Sequence, residues 1–320
     1  MLRSLSIALT LTLLALPGMA QESTPEPPAE TPETLPPLDQ RSELDASNLA
    51  RQLSAAEQQL LQVGDETVLA LWRPANTGEA KGMIILLPDA GESADWPLVI
   101  SPLRQRLPDA GWHSLSLTLP DLPELPLAKA TESVSADAQV TDNASDAAST
   151  VANPDSASDP TPVQDDTAAP SAEELTQAFQ EQVNARLQAA LAFAKTQKAT
   201  EVVLLGHGQG ARWAMVFLTE QKPPEVTRLL LIAPDLNEPM EEELSALALP
   251  IGDFYYKEQS TDREQALRRL NSSKRNKQKG YSQVGLKALP GNRAIEQEQL
   301  YRRVRGWLDK GAMPPPRKEN

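Results

Sequence analysis

Short apolar runs that alternate with longer amphipathic segments constrain the fold of this chain more than any other feature. Residues 83–87 and 202–205 are apolar at consecutive positions, which is typical of strands buried on both faces. The segment that begins at Ser171 places an apolar residue at every fourth position and predicts a long helix. Strands that alternate with helices of this length form a mostly parallel sheet with helices on both faces, so the sequence predicts an α/β domain.

The remaining elements follow from turn and capping residues. A capping box that starts at Ser54 predicts a short helix, followed by a turn at Gly64-Asp65. Further strands are predicted at 67–72, 114–119, 229–233, 249–256 and 284–289, and further helices at 97–107, 209–219, 262–275 and 295–308.

The first twenty residues have the layout of a secretory signal peptide. Arg3 is followed by an apolar run and then by Pro17-Gly18-Met19-Ala20, which predicts cleavage after Ala20. The apolar run is shorter than the roughly 20 residues that span a bilayer, which disfavours the alternative of a retained membrane anchor. The chain contains no cysteine, which excludes a disulfide framework and a lipoprotein anchor. We therefore expect a periplasmic or secreted protein with no transmembrane segment after cleavage.

Three polar stretches lie outside the predicted folded core. Residues 21–45 form a Pro-rich segment that predicts a disordered linker, and residues 313–320 form a tail. Residues 128–169 consist mainly of Ala, Ser, Asp, Thr and Pro, and their low apolar content predicts a disordered acidic insertion in the middle of the domain 46–312. The insertion is either a lengthened loop, which costs little entropy, or a segment that regulates the protein or binds a partner.

The charge of the chain is strongly asymmetric. A formal net charge of −14 disfavours general binding to nucleic acid or to anionic lipid surfaces. The segment between Arg268 and Lys279, in contrast, is basic. It is either a solvated helix and loop or a surface for an anionic partner, such as an envelope polymer, an acidic protein or the acidic insertion of this chain.

The most informative motif is Gly206-His207-Gly208-Gln209-Gly210, which lies between a predicted strand and a predicted helix. This context is that of the G-x-S-x-G nucleophile elbow, in which a strained turn presents the central side chain. Gly208 occupies the central position and has no oxygen with which to attack a carbonyl. The motif therefore predicts an elbow that has lost acyl-transfer chemistry.

At these residues the chain resembles the α/β-hydrolase superfamily, and in particular a proteobacterial branch of exported proteins with a domain of unknown function. The resemblance extends over about residues 54–310 without the insertion, and it rests on the elbow and on the runs 84–91, 250–255 and 302–308. It implies an α/β-hydrolase-like sheet, with the oxyanion-hole loop after the strand that ends near Leu87. Because this fold carries many chemistries and also inert relatives, the resemblance does not define a reaction.

The other positions of the catalytic triad also depart from the superfamily. The resemblance places the acid near Glu258, Gln259 or Asp262, none of which lies in a clear motif. Before the last helix, where the base should stand, Asn292 is better explained as a helix N-cap. The only histidines are His113 and His207, and both are interpreted as packed or surface residues.

Two classes of function follow from these residues. The first is a protein without catalysis, cofactor or metal that binds a small-molecule or envelope partner over the degenerate elbow. The alternative is a periplasmic ester or amide hydrolase with a non-standard site on the acidic loop between Asp89 and Asp95. An open crevice above Gly208 would favour ligand binding, whereas filling by Trp96 or Trp213 would favour a structural role. The candidate binding residues are Asp89, Ala90, Gly91, His207, Gly208 and Gln209.

Overall fold

A single eight-stranded sheet runs through the part of the chain that the computed structural model describes, residues 41–123 and 170–311. The strands are β1 (Gln58–Val63), β2 (Glu66–Arg73), β3 (Gly82–Leu87), β4 (Trp112–Leu117), β5 (Val202–His207), β6 (Val226–Ile232), β7 (Ile251–Tyr256) and β8 (Tyr281–Leu286). Their order in the sheet is β1-β2-β4-β3-β5-β6-β7-β8. The β1–β2 and β2–β4 pairs are antiparallel, and all later pairs are parallel. This topology confirms the predicted mostly parallel α/β architecture.

Helices cover both faces of this sheet. The helices are α1 (Arg41–Gln52), α2 (Ile100–Arg106), α3 (Ala172–Thr196), α4 (Gln209–Gln221), α5 (Glu238–Ala246), α6 (Ser260–Arg275) and α7 (Arg293–Gly311). The apolar residues of β3 alternate between two cores, so that Ile85 belongs to one cluster with α3 and α4, and Ile84 belongs to the other with α2 and α7. The long helix α3 begins with the predicted capping box, in which Ser171 Oγ accepts from the Glu174 N–H.

The beginning of the domain differs from the prediction. Helix α1 begins at Arg41, inside the range predicted as a disordered linker, and Leu49 packs against the small cluster that contains Leu71. The prediction of a capping box and a short helix at Ser54 was wrong, because the Ser54 hydroxyl makes no capping hydrogen bond and a single 3₁₀ turn leads directly into β1. Pairing of β1 with β2 along six residue positions outweighs the local helical signal. The predicted signal peptide, insertion and tail lie outside the described residues.

The order of strands reverses between β3 and β5. From β3 the sheet extends through β4 in one direction and through β5 in the other. In a parallel α/β sheet such a switch point opens a crevice at the carboxyl ends of the two strands. The loop after β3 and the turn after β5 therefore meet at this place.

Candidate functional site

The turn between β5 and α4 has the backbone geometry of a nucleophile elbow. Gly208 has a φ of 51° and a ψ of −118°, a conformation that side-chain-bearing residues rarely adopt. The flanking glycines allow a close approach of the chain segments, because a Cβ on Gly206 would lie 2.3 Å from Ala211 Cα and one on Gly210 would lie 2.3 Å from the Pro88 carbonyl oxygen. The sequence thus keeps the turn although its central side chain is missing.

The space in front of Gly208 is occupied by the carboxylate of Asp89. A Cβ built on Gly208 would lie only 2.1 Å from Asp89 Cγ and 2.2 Å from Oδ2. Asp89 stands on the loop after β3, 119 positions before Gly208 in the sequence. The site therefore lacks both a nucleophile and the space for one, because the Asp89 side chain occupies the volume into which a serine would project.

The same carboxylate satisfies the donors of an oxyanion hole. In the α/β-hydrolase elbow these donors are the N–H of the residue after the nucleophile and an N–H from the loop after the third strand. Asp89 Oδ1 accepts from the N–H of Gln209 at 2.7 Å and from the N–H of Ala90 at 2.7 Å. The first turn of α4, which favours negative charge, thus holds an anion that belongs to the protein itself.

Glu92 and His207 complete a hydrogen-bonded network with Asp89. Glu92 Oε2 accepts from the Asp89 N–H at 2.9 Å and lies 2.8 Å from His207 Nδ1. The side chains of Glu92 and His207 are 10 % and 15 % exposed. The ligand-capable atoms of all three residues lie within 4.8 Å of one another, a spacing that would suit a metal ion. However, Glu92 Oε2 already pairs with His207 Nδ1, and Asp89 Oδ1 accepts from the N–H groups of Ala90 and Gln209, so these atoms have partners within the protein.

The structure also places the residues predicted at the acid and base positions. Gln259 precedes α6 as its N-cap without a capping side-chain bond, and exposed Glu258 accepts from the Ala288 N–H at 2.9 Å. Asn292 Oδ1 accepts from the Ile295 N–H at 3.2 Å, which confirms its prediction as an N-cap. Burial raises the pKa of Asp262 and, together with nearby carboxylates, that of Tyr256 to about 12. None of these groups supplies an imidazole.

The loop between Asp89 and Asp95 is anchored at its far end. Asp95 Oδ1 lies 2.8 Å from Nη2 of Arg104, whose side chain is 1 % exposed and also pairs with Glu57. The hydrogen bond from Arg104 lowers the pKa of Glu57. Asp95 therefore compensates a buried guanidinium, which explains one of the loop's acidic residues by structure rather than by catalysis.

The crevice beside the elbow has little internal space. Its cavity measures about 20 Å³, which is room for a single water molecule. Trp213 lines it and packs against Phe179 with a centroid distance of 4.9 Å. On the outer side Arg41 of α1 donates to the Gly91 carbonyl oxygen at 2.6 Å. The structure shows neither predicted arrangement in full, because Trp213 lines the wall of the cavity while the side chain that occupies the space in front of Gly208 is Asp89.

Some of the cations in the predicted basic segment between Arg268 and Lys279 form ion pairs, and others do not. Arg269 forms two 2.9 Å bonds with Asp253, and both side chains are buried. Arg268 pairs with Glu241 at 3.3 Å. Lys277 and Lys279 have no ion-pair partner among the described residues. The arginines therefore hold α6 against the domain, and the lysines carry most of the uncompensated charge of this segment.

Comparison with known protein families shows the family to which the chain belongs. Residues 2–310 match the family described as "Protein of unknown function (DUF3530)". The chain belongs to this family. For this DUF3530 member, no curated protein gave a significant match.

Solved structures similar to this DUF3530 protein are α/β hydrolases. They include the esterase PF2001 of Pyrococcus furiosus (TM-score 0.51, 11 % identity, 80 % of this chain and 91 % of that chain). Est1E of Butyrivibrio proteoclasticus is similar (TM-score 0.51, 9 % identity, 79 % and 99 %), as is the dienelactone hydrolase of Anabaena variabilis (TM-score 0.51, 11 % identity, 80 % and 100 %). At these identities the likeness shows the fold alone, which confirms the α/β-hydrolase resemblance. Within the described residues, no helix has the length and apolar character needed to cross a membrane.

Proposed function

We propose that this DUF3530 protein is an exported, non-catalytic α/β-hydrolase-like protein that acts by binding a partner in the cell envelope. The observation that carries the proposal is the Asp89 carboxylate, which stands in front of Gly208 and accepts both N–H groups of the oxyanion hole. An acyl-transfer reaction needs these donors for the negative charge that develops on the substrate oxygen. The Asp89 carboxylate is already bound to these donors, so it blocks the position of the substrate oxygen and repels the negative charge that would develop there.

The closed crevice favours a partner that binds elsewhere on the surface. Small-molecule sites usually measure several hundred Å³, whereas the cavity beside the elbow measures about 20 Å³. The N-terminal signal-peptide pattern supports a place in the periplasm or outside the cell. Cell fractionation tests this part, since the full chain should be found in the periplasm or medium and a variant without residues 1–20 should stay in the cytoplasm. Cytoplasmic accumulation of the full chain would contradict export.

Labelling with a fluorophosphonate probe and turnover of p-nitrophenyl butyrate test the loss of catalysis. We expect neither for the purified protein, with heat-treated protein and an active esterase as controls. Gly208→Ser should also stay inactive, because Asp89 fills the required space and Asn292, rather than a histidine, stands before α7 where the base of the superfamily is expected. Covalent labelling of the wild-type protein, or turnover above the heat-treated control, would contradict the proposal.

A double-mutant cycle measures how completely Asp89 blocks the elbow. Gly208→Ala should lower the free energy of unfolding by about 2–3 kcal/mol, because it combines a left-handed backbone with a collision. In an Asp89→Ala background the collision is absent, and the same substitution should cost at least about 1 kcal/mol less. Equal costs in both backgrounds would show that the carboxylate does not occupy this space.

A hydrolase site on the loop between Asp89 and Asp95 remains the second candidate. It is favoured by the His207–Glu92 pair, which lies beside Asp89 and has the arrangement of a base with its orienting acid. If the wild-type protein turned over an ester or amide, Asp89→Ala and Ser93→Ala would have to reduce the rate. Unchanged rates in both variants would exclude this loop as the site.

A further inference from the structure

A second and larger pocket lies at the opposite end of the sheet from the elbow. It measures about 420 Å³ and is bordered by the amino ends of β6, β7 and β8 and by the last turns of α7. We call it the basic pocket, because four cationic residues and no aspartate or glutamate line it. Its main lining residues are Arg228, Ser282, Arg302, Arg303, Trp307 and Lys310.

Arg228 forms the buried part of this pocket. Its side chain is 3 % exposed, its Nε pairs with Glu201, and its Nη1 donates to the Leu308 carbonyl oxygen at 2.7 Å. Its Nη2 is buried and has no hydrogen-bond partner among the described residues. A buried donor that lacks a partner is costly, and such groups in native proteins are usually satisfied by water, an ion or a ligand.

The outer cations of the pocket are poorly compensated. Arg302 pairs with Glu298 along α7, but Arg303 and Lys310 have no ion-pair partner in the described part of the chain. Both side chains are exposed at the rim. In a protein with a net charge of −14, a pocket that gathers positive charge and excludes carboxylates is a local exception that attracts anions.

The donors of the basic pocket suit phosphate. A guanidinium presents parallel N–H groups that match two phosphate oxygens, and a lysine ammonium adds a mobile charge. Trp307 supplies an apolar wall, since its Nε1 is engaged by Ser282 Oγ at 2.9 Å. We propose that the basic pocket binds a phosphate-bearing ligand, either a soluble phosphorylated compound or a phospholipid headgroup. This proposal goes beyond the loss of catalysis and does not depend on it, because it uses different residues at the other end of the sheet.

Calorimetric titration of the purified full chain with inorganic pyrophosphate tests the proposal. We expect saturable binding that weakens by at least about tenfold in the Arg303→Gln/Lys310→Gln variant, as for loss of one or two charge-assisted hydrogen bonds. The control variant Arg263→Gln/Lys274→Gln removes the same charge from exposed positions of α6 that do not line the pocket. It should bind within about twofold of wild type, since general attraction contributes little compared with direct contacts.

Two further measurements locate the site and distinguish the sources of phosphate. The indole emission change on titration should disappear in Trp307→Phe if the ligand enters the basic pocket. Flotation with vesicles of phosphatidylglycerol and phosphatidylcholine, against phosphatidylcholine alone, tests the headgroup. Flotation that depends on Arg303 and Lys310 identifies a lipid headgroup, and pyrophosphate binding without flotation identifies a soluble ligand.

Several results would overturn the proposal. One is the absence of both pyrophosphate binding and flotation. Another is an equal loss in the pocket variant and in the α6 control, which would indicate unspecific attraction. Thermal unfolding of each variant shows whether it is folded, and phosphonate labelling of the elbow is scored separately, so failure of one proposal does not affect the other.

Discussion

The charged groups at the two ends of the parallel strands differ in how far they are paired with other groups of the protein. At the carboxyl ends of β3 and β5, Asp89 and Glu92 accept hydrogen bonds from backbone and imidazole groups, and the cavity has room for about one water molecule. At the amino ends of β6 to β8, Arg303 and Lys310 lack ion-pair partners among the described residues, and the cavity measures about 420 Å³. The charged groups at the elbow are paired within the protein, whereas two cations at the opposite end have no ion-pair partner among the described residues.

This difference shows that a fold family's usual site is a poor guide when its polar groups are already paired. A carboxylate with two N–H donors gains little from an incoming ligand, because it must first give up those bonds. An unpaired guanidinium or ammonium at a pocket rim loses no protein partner when a ligand arrives. The unpaired charge is therefore the reason why we propose the ligand site at the basic pocket rather than at the elbow.

The largest expected effect on stability comes from adding a side chain where the loop after β3 and the turn after β5 are in close contact. Gly210→Ala should lower the free energy of unfolding by about 3 kcal/mol, because the new Cβ would lie 2.3 Å from the Pro88 carbonyl oxygen. The matched change at the other end is Gly306→Ala, where nothing lies within 4 Å of the new Cβ. In the interior of α7 it should stabilise the protein by up to about 1 kcal/mol. Urea unfolding measures both, and similar effects of the two changes would contradict the packing difference.

A pair of charge-neutralising changes should give a smaller difference. Glu92→Gln should lower the free energy of unfolding by about 1–2 kcal/mol, because Oε2 contacts the Asp89 N–H and His207 Nδ1. Arg303→Gln should change it by less than about 0.5 kcal/mol, because that side chain is exposed and has no described ion-pair partner. If Arg303→Gln proved the more destabilising change in urea unfolding, its charge would serve the fold rather than a ligand.

The smallest effect concerns the pH dependence of stability that comes from His113, which lies at the opposite end of the sheet from His207. Burial lowers the pKa of His113 below its ordinary value of 6.5, and its Nδ1 accepts from the Ala75 N–H at 3.0 Å. Below pH 6.5 the unfolded chain therefore binds more protons than the folded protein, so stability falls as the pH drops until it reaches the folded pKa. His113→Gln keeps an acceptor for Ala75 but removes this contribution. Thermal unfolding between pH 7.5 and 5 should show a flatter profile for this variant, and an unchanged slope would assign the dependence to other groups.

The elements that could be predicted from the sequence depend on neighbouring residues. The Ser171 capping box, the Asn292 N-cap and the strand around Ile84 and Ile85 were confirmed because three to six residues determine each of them. Helix α5 was missed although Asn237 caps it and Pro239 lies in its first turn, a signal that was readable in the sequence.

The candidate site could be predicted only in part. The elbow turn follows from the glycines around Gly208, whereas the place of Asp89 depends on the alignment of β3 with β5 across 120 positions. The basic pocket was missed because its cations belong to β6 and α7, while the predicted basic segment contributes none of its main lining residues. No local pattern of charge distinguishes Arg303, which faces the pocket, from Arg269, which pairs with Asp253.

The sequence by itself determined the class of fold, the family and the loss of a side chain at position 208, because periodicity, turn residues and residue identity are local properties of the chain. Only the tertiary structure decided that Asp89 fills the vacant space and that Arg228, Arg303 and Lys310 share a pocket. These facts depend on distances between residues that are remote in sequence. Such distances are set by strand register and helix packing, which a single sequence does not display.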